Sequence, residues 1–318
     1  MSLSEHVRTL GRGPGRSRSL TFDEADDAMA QMLSGDAAPE AVGALLMLLR
    51  MKGETAEEIA GLAAAAQASL VAVPGADLDW PSYAAGRTRG LPWFLLSARL
   101  VAGAGHRVLL HGWNGADGSV RAGLPMAGIA TANSVAEAQA LMARHGIAYL
   151  PLEQLSPALF ALLGLRSVFG LRSCVNTVCR MLNPSAAGAS VQGVFHPSYR
   201  LTQAGAAERM GWQALTVIKG GGGEFERLPT KEVACFGLRG GAGWAQTAPA
   251  LVAESRRLDD GARDAQMLQA LWQGALSDPF AEAVVIGTAA LALDTLGVAE
   301  AESAARALWE ERRRDAAA

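Results

Sequence analysis

Apolar residues recur at helical spacing as far as about Leu70, and then the rhythm changes. Thr21-Phe22-Asp23-Glu24 sets a hydroxyl and a carboxylate three residues apart, the reciprocal pair that satisfies the first free N–H groups of a helix. This predicts a helix running to Leu33 and stopped at Gly35. Ala38 to Met51, dense with Leu45, Leu46, Leu48 and Leu49, predicts a second helix ended by Gly53. Thr55-Ala56-Glu57-Glu58 repeats the capping pattern and opens a third, reaching about Leu70. Three short helices this apolar must press on the rest of the chain or on a second copy. Ahead of them, residues 1–20 scatter Arg8, Arg12, Arg16 and Arg18 among Gly, Pro and Ser, and read as a mobile basic arm.

After Pro74 short apolar runs alternate with amphipathic segments. Pro92 to Val101 predicts a helix with proline in its first turn. Arg107 to His111 predicts a buried strand closed by Gly112. A helix over Ser134–His145 and a strand over Ile147–Leu150 follow. Ser190–Phe195 and Ala214–Lys219 are strand-like, with a helix over Ala204–Met210 between them. The tail, Ala262–Leu271, Phe280–Leu296 and Ala299–Arg314, is helical. This alternation predicts an α/β fold with a mostly parallel sheet.

Composition narrows the picture. The chain has 318 residues, half of them hydrophobic, enough for one large domain or two smaller ones. With 28 basic and 31 acidic residues its formal net charge is −3, so any nucleic-acid role needs a local basic patch. Only Lys52, Lys219 and Lys231 among the basic residues are lysine. Compositional bias in an Ala- and Gly-rich chain accounts for this, as does a need for planar guanidinium forks on phosphate. Cys174, Cys179 and Cys235 make neither an even disulfide set nor a zinc spacing. No apolar run reaches the ~18 residues of a membrane span, and the N-terminus lacks the apolar stretch of a secretory signal. The expectation is a cytoplasmic protein without a membrane partner.

Several motifs point to a family. Met51-Lys52-Gly53-Glu54-Thr55-Ala56-Glu57-Glu58-Ile59-Ala60-Gly61-Leu62 resembles the helical domain of the anthranilate phosphoribosyltransferases, which share a fold class with the pyrimidine nucleoside phosphorylases. Arg166-x-x-x-Gly170-x-Arg172-Ser173-x-x-Asn176 resembles their R-x-x-L-G-x-R-T-x-F-N signature, and Asn183-Pro184 and Gln192-Gly193-Val194 follow in family order. His111-Gly112 sits where the family has K-H-G-N. The resemblance implies a small, discontinuous helical domain beside a larger α/β domain. It places the helical, dimerising domain at 1–73, with helices near 155–183 packing on it, and the α/β domain at 74–318. It also implies a homodimer.

The departures bear on function. Phosphoribosyl transfer needs a Gly-rich loop whose N–H groups approach pyrophosphate, and carboxylates that hold Mg²⁺. The family's loop falls on Ser82 to Leu95, where its glycines are Ser82, Ala84 and Ala85 and its Asp is Gly86. The Asn, Ser and Thr that hold phosphate become Pro92, Phe94 and Leu95, the lysine of K-H-G-N becomes Leu110, and its Asn becomes Trp113. Of the second metal motif only Glu226 matches, with Phe225 in place of the adjacent Asp and Glu224 as a shifted substitute. No catalytic residue is assigned. Mg²⁺ is expected only for an enzyme, held by Glu224 and Glu226.

In place of that loop stand arginines and aromatics. Arg87, Arg89, Arg107, Arg166, Arg172 and Arg180 are candidate phosphate contacts, and Tyr83 and Trp113 candidate stacking platforms. Helix capping or loop solvation accounts equally for Arg87 and Arg89. Trp93 beside Phe94 reads as core, and His111 as a structural histidine. Gly220 to Gly223 reads as a turn or an anion nest, and Arg312 to Arg314 as cations on a helix dipole. His111, Gly112, Asn176 and Glu226 keep family positions. The pattern resembles the nucleic-acid-binding paralogues of the family. It implies a homodimer with a degenerate phosphoribosyl pyrophosphate site that binds single- or double-stranded DNA or RNA without sequence preference in a basic interdomain groove. The alternative is an active phosphoribosyltransferase with an unidentified aromatic acceptor.

Overall fold

The computed structural model describes residues 2–83, 90–114 and 118–315, with side chains through 312. The first helices are α1 (Leu3–Gly11), α2 (Phe22–Ser34), α3 (Pro39–Lys52) and α4 (Ala56–Ala68). Both predicted capping boxes form. The Glu24 and Glu58 N–H groups donate to the hydroxyls of Thr21 and Thr55 at 3.3 and 3.1 Å, and the two carboxylates accept from the backbone N–H of those threonines. Gly35 ends α2 in the left-handed conformation. Helices α2 and α4 cross so closely that a Cβ on Gly61 would lie 2.2 Å from the Phe22 carbonyl, so only glycine fits there. The first half of the expected mobile arm is instead the helix α1, a correction to the reading of residues 1–20, while the stretch from Arg12 to Leu20 has no regular structure. Leu3, His6 and Leu10, at helical spacing, are buried against α3, while Arg8 and Arg12 face outward. The sparse apolar positions were enough for one buried stripe.

A seven-stranded sheet forms the centre: β1 (Leu78–Ser82), β2 (Val108–Gly112), β3 (Ile147–Pro151), β4 (Ala189–Val194), β5 (Ala214–Lys219), β6 (Val233–Arg239) and β7 (Ala242–Ala248). The order is β3-β2-β1-β4-β5-β6-β7, with the first five strands parallel and the last two antiparallel. Connections run outward in opposite directions from β1 and β4. The crevice beyond their carboxyl ends, at Ser82 and Val194, is therefore the topological switch point, where open α/β sheets bind ligands.

The remaining helices are α5 (Phe94–Gly103), α6 (Ser119–Met126), α7 (Val135–His145), α8 (Leu152–Leu155), α9 (Pro157–Gly164), α10 (Arg166–Phe169), α11 (Val175–Arg180), α12 (Tyr199–Arg209), α13 (Gln266–Gln273), α14 (Pro279–Thr295) and α15 (Ala301–Asp315). One core joins α1 to α4, α9, α11 and one face of the sheet through Leu109, Leu150 and Val217. The other lies on the opposite face, where α5, α6, α13, α14 and α15 cover Trp80, Leu110 and Val191. The helical bundle and the sheet thus meet across a continuous apolar interface, and the cleft opens at its edge. Trp93 belongs to the core, 1% exposed, and Trp80 packs against Phe94 and Phe225 at 6.3 and 5.4 Å between ring centroids. Arg312 is buried rather than a solvated end charge. It donates to the Leu271 carbonyl at 3.0 Å and lies over the Trp309 ring. No helix among the described residues is long and apolar enough to cross a membrane.

Candidate functional site

A cavity of about 300 Å³ opens between the bundle and the carboxyl edge of the sheet. The bundle side supplies Arg50 from α3, Arg166 from α10, and Arg172 and Ser173 from the turn that follows; the sheet side supplies Val194, Phe195, His196, Tyr199 and Gln203. Gly170, at φ 65°, ends α10 and turns the chain so that Arg166 and Arg172 reach the same space. Arg50 fixes that turn by donating to the Arg172 carbonyl at 2.6 Å. The acid on this wall, Glu54, accepts from the Tyr199 hydroxyl at 2.9 Å. Burial, aided by the neighbouring Glu54 charge, pushes the Tyr199 phenol up to about 12. An adjoining recess brings Trp113 beside Arg166 and Arg172. Trp113 is half-buried edge-on to Phe160.

Other sequence candidates take different roles. Arg180 lines the same cavity but is only 7% exposed, its guanidinium engaged with the protein's own oxygens. It bonds the Asn176 carbonyl and side-chain oxygen at 3.2 and 2.5 Å and the Tyr83 carbonyl at 2.9 Å. Asn176 bonds the same Tyr83 carbonyl at 3.2 Å, so the two residues pin the chain where it leaves β1. Burial pulls the Arg180 guanidinium down, opposed by Glu224. Arg107 lies outside the cleft. It precedes β2, at the opposite end of that five-residue strand and roughly 16 Å from the cleft edge, and bonds Asp77 at 3.2 and 3.3 Å. Tyr83 is not a stacking platform, being fully buried with its hydroxyl on His111 Nδ1 at 2.8 Å. His111 Nε2 meets Asp79 at 3.1 Å, and Ser190 donates to Asp79 at 2.8 Å. Burial pushes both the Asp79 carboxyl and the Tyr83 phenol up. His111 is the bridge of a sealed hydrogen-bond chain beneath the cleft. Arg87 and Arg89 lie outside the described residues.

The anion position at the head of α5 is filled from within. The Glu226 carboxylate accepts from the Phe94 N–H at 2.9 Å, at the amino end of that helix, where an anion is favoured. Above it a segment without regular structure crosses the site. A Cβ on Gly90 would meet the Leu258 carbonyl at 2.0 Å, and one on Gly221 would meet Leu258 Cδ1 at 2.8 Å and Glu226 Oε1 at 2.9 Å. Gly220 to Gly223 is thus a turn closed by the chain's own leucine and carboxylate. Arg256 latches this strap, bonding Asp260 at 2.6 Å and Asp278 at 2.8 Å while lying over the Phe280 ring. Glu224 is buried too, beside Asn114 Nδ2 at 3.4 Å. The two glutamates do not fit a Mg²⁺ site facing the cleft, since Glu226 points at a backbone N–H and both are sealed from solvent. Among the described residues no group of three or more His, Cys, Asp and Glu is arranged to hold a metal ion.

Sequence reasoning missed Arg50, Phe195, His196 and Gln203. The available signal was positional, because Phe195 and His196 directly follow a strand that flanks the switch point.

A helical bundle set against a mostly parallel sheet, with its cleft at the carboxyl edge, is an arrangement that known proteins share. Residues 4–70 match the family model of the glycosyl transferase family, helical bundle domain. The anthranilate phosphoribosyltransferase of Herpetosiphon aurantiacus is 28% identical over 228 residues, covering 70% of this chain and 67% of that protein. That of Roseiflexus sp. (strain RS-1) is 32% identical over 216 residues, covering 65% and 62%. The alignments thus span about two thirds or less of these relatives' lengths. Among solved structures, the anthranilate phosphoribosyltransferase of Thermus thermophilus superposes with a TM-score of 0.75 at 22% identity, over 99% of both chains. The Saccharomyces cerevisiae enzyme, in complex with PRPP and Mg, gives 0.79 at 16% identity, over 99% of this chain and 94% of that one. The chain is similar in sequence to the anthranilate phosphoribosyltransferases and has their fold along its length.

Proposed function

We propose that this protein does not transfer phosphoribosyl groups and instead binds DNA or RNA through phosphate contacts in the cleft, as a homodimer. The observation that carries this reading is the contrast between two neighbouring sites. At the amino end of α5 the anion position is taken by Glu226 and roofed by Leu258. In the adjacent cleft Arg50, Arg166 and Arg172 line one cavity. Guanidinium forks suit phosphate oxygens, and a cluster of them supplies the local basic patch that a net charge of −3 demands. The dimer is supported by Met51, Val168 and Leu171, which are 82, 76 and 47% exposed on α3 and around α10.

The test is fluorescence anisotropy with a labelled single strand, titrated at several salt concentrations. Affinity should fall with salt at a log–log slope near −0.7 per phosphate neutralised. Arg166→Gln with Arg172→Gln should weaken binding and flatten that slope by roughly one to two units. Unchanged affinity and slope in a folded double variant would remove the cleft as the binding site.

A further inference from the structure

Between Leu3 and Leu20 the chain carries Arg8, Arg12, Arg16 and Arg18 against one acid, Glu5. Where α1 ends, the chain reverses. Gly13 and Gly15 take positive φ, 90° and 74°, which side chains rarely adopt. The turn is held from inside. The Gly13 N–H donates to the Ser17 hydroxyl at 2.9 Å, the Ser17 N–H to the Gly13 carbonyl at 3.0 Å, and the Arg18 N–H to the Thr9 carbonyl at 3.3 Å. The result is a depression of about 290 Å³ lined by Thr9, Arg12, Gly15, Arg16, Ser17 and Arg18. Glu24 neutralises Arg18 at 2.5 and 2.6 Å. The exposed guanidiniums of Arg12 and Arg16 have no hydrogen-bond or ion-pair partner among the described residues. Arg12 suits the carboxyl end of α1, where a cation meets the helix dipole, but Arg16 lies beyond that helix and answers no dipole.

We propose that this turn is a second phosphate contact outside the cleft, where Arg12 and Arg16 grip the backbone of a nucleic acid whose neighbouring phosphates lie in the cleft. This rests on the nucleic-acid reading above and extends it. Helix α3 joins the two places. Its last turn carries Arg50, which lines the cleft, and Lys52, which donates to the Ser19 hydroxyl at 3.0 Å and so ties the chain after the turn to the same helix end. Lys52 is itself held by Glu58 at 2.7 Å, so it positions the turn rather than adding a free charge. A strand advances about 3.4 Å per phosphate, so a handful of nucleotides bridges the cleft and the turn. Guanidinium forks on an exposed turn reach the phosphate oxygens of a single strand or a duplex alike. They touch no base edge, so the contact adds affinity without preference for sequence or strandedness.

The experiment uses the full chain with a labelled single strand and a duplex of matched length, read by anisotropy across a salt series. Arg12→Gln with Arg16→Gln should flatten the log–log salt slope by about 1.4 for the single strand and about 1.8 for the duplex, and weaken both roughly 5- to 50-fold near 0.1 M salt. Arg12→Lys with Arg16→Lys keeps the charge and should restore most of the slope. Arg107→Gln with Arg306→Gln removes the same charge from arginines that pair with Asp77 and Glu302 outside the bundle, and should leave the slope nearly unchanged. Arg16→Gln alone, with about half the effect, serves if the double variant does not fold. A folded Arg12, Arg16 variant that binds as the wild type does, or loses no more than the Arg107, Arg306 control, would overturn the proposal while leaving the cleft as the binding site. Absence of binding by the wild type to either oligonucleotide would overturn the nucleic-acid reading and this inference with it.

Discussion

Glu226 shows how one side chain keeps its place in a motif and changes its work. The resemblance carries it over as a metal-binding carboxylate, yet here it satisfies the first free N–H of α5. Glu226→Ala removes a buried acceptor of that N–H and should cost about 1–3 kcal/mol, read as a lowered midpoint in urea unfolding. Trp93→Ala empties a core position and should cost about 3–5 kcal/mol by the same measurement. Glu24 gives a pH dependence. The Arg18 hydrogen bond, aided by the Thr21 N–H, holds its carboxyl at about 2, below its ordinary 4.5. A depressed carboxylate stabilises the fold fully above its unfolded pKa, and that contribution is lost as pH falls from about 4.5 toward about 2. Arg18 is half exposed, so solvent screens the pair and the effect is modest. Acid titration monitored by circular dichroism should show a component in this window that Glu24→Gln lacks.

Among the elements, those with strong local signals were legible in the sequence. Capping boxes named the starts of α2 and α4, and apolar runs named β2, β3, β4 and β5. The central strand β1 was not, because Leu78-Asp79-Trp80-Pro81-Ser82 mixes a carboxylate and a proline into a segment that only tertiary contacts make a strand. Asp79 is tolerable there because His111 and Ser190 bond it. The hairpin β6–β7 was hidden by the mostly exposed, small residues of β7. The strap that ends in α13 was invisible as well, since its role comes from Leu258 meeting Gly90 and Gly221, positions far away in sequence. Its latch makes a prediction. Arg256→Ala should speed amide hydrogen exchange across residues 251–262, while exchange in α14 changes little because Asp278 still caps that helix. Equal exchange rates in variant and wild type would mean that Leu258 alone holds the strap.

At the scale of the whole molecule, the fold was legible from motif order, whereas the site was legible only in part. Arg166, Arg172, Asn176 and Arg180 do line one cleft, with Trp113 in the adjoining recess, but Arg107 and Tyr83 could not be told from them by residue type. An arginine's role depends on which end of a strand it precedes and on how deeply it is buried. The proposed dimer rests on the exposed Met51, Val168 and Leu171. Sedimentation at micromolar concentration should give twice the chain mass, and Val168→Glu with Leu171→Glu should shift the species toward monomer. In the proposed function the phosphate position at the head of α5 is closed from within by Glu226, and the neighbouring cleft is the binding surface. The decisive measurement follows phosphoribosyl anthranilate formation by fluorescence, with phosphoribosyl pyrophosphate, anthranilate and excess Mg²⁺. No turnover above background is expected, and formation of product at an ordinary enzymatic rate, ~1 s⁻¹ or more, would contradict the proposal.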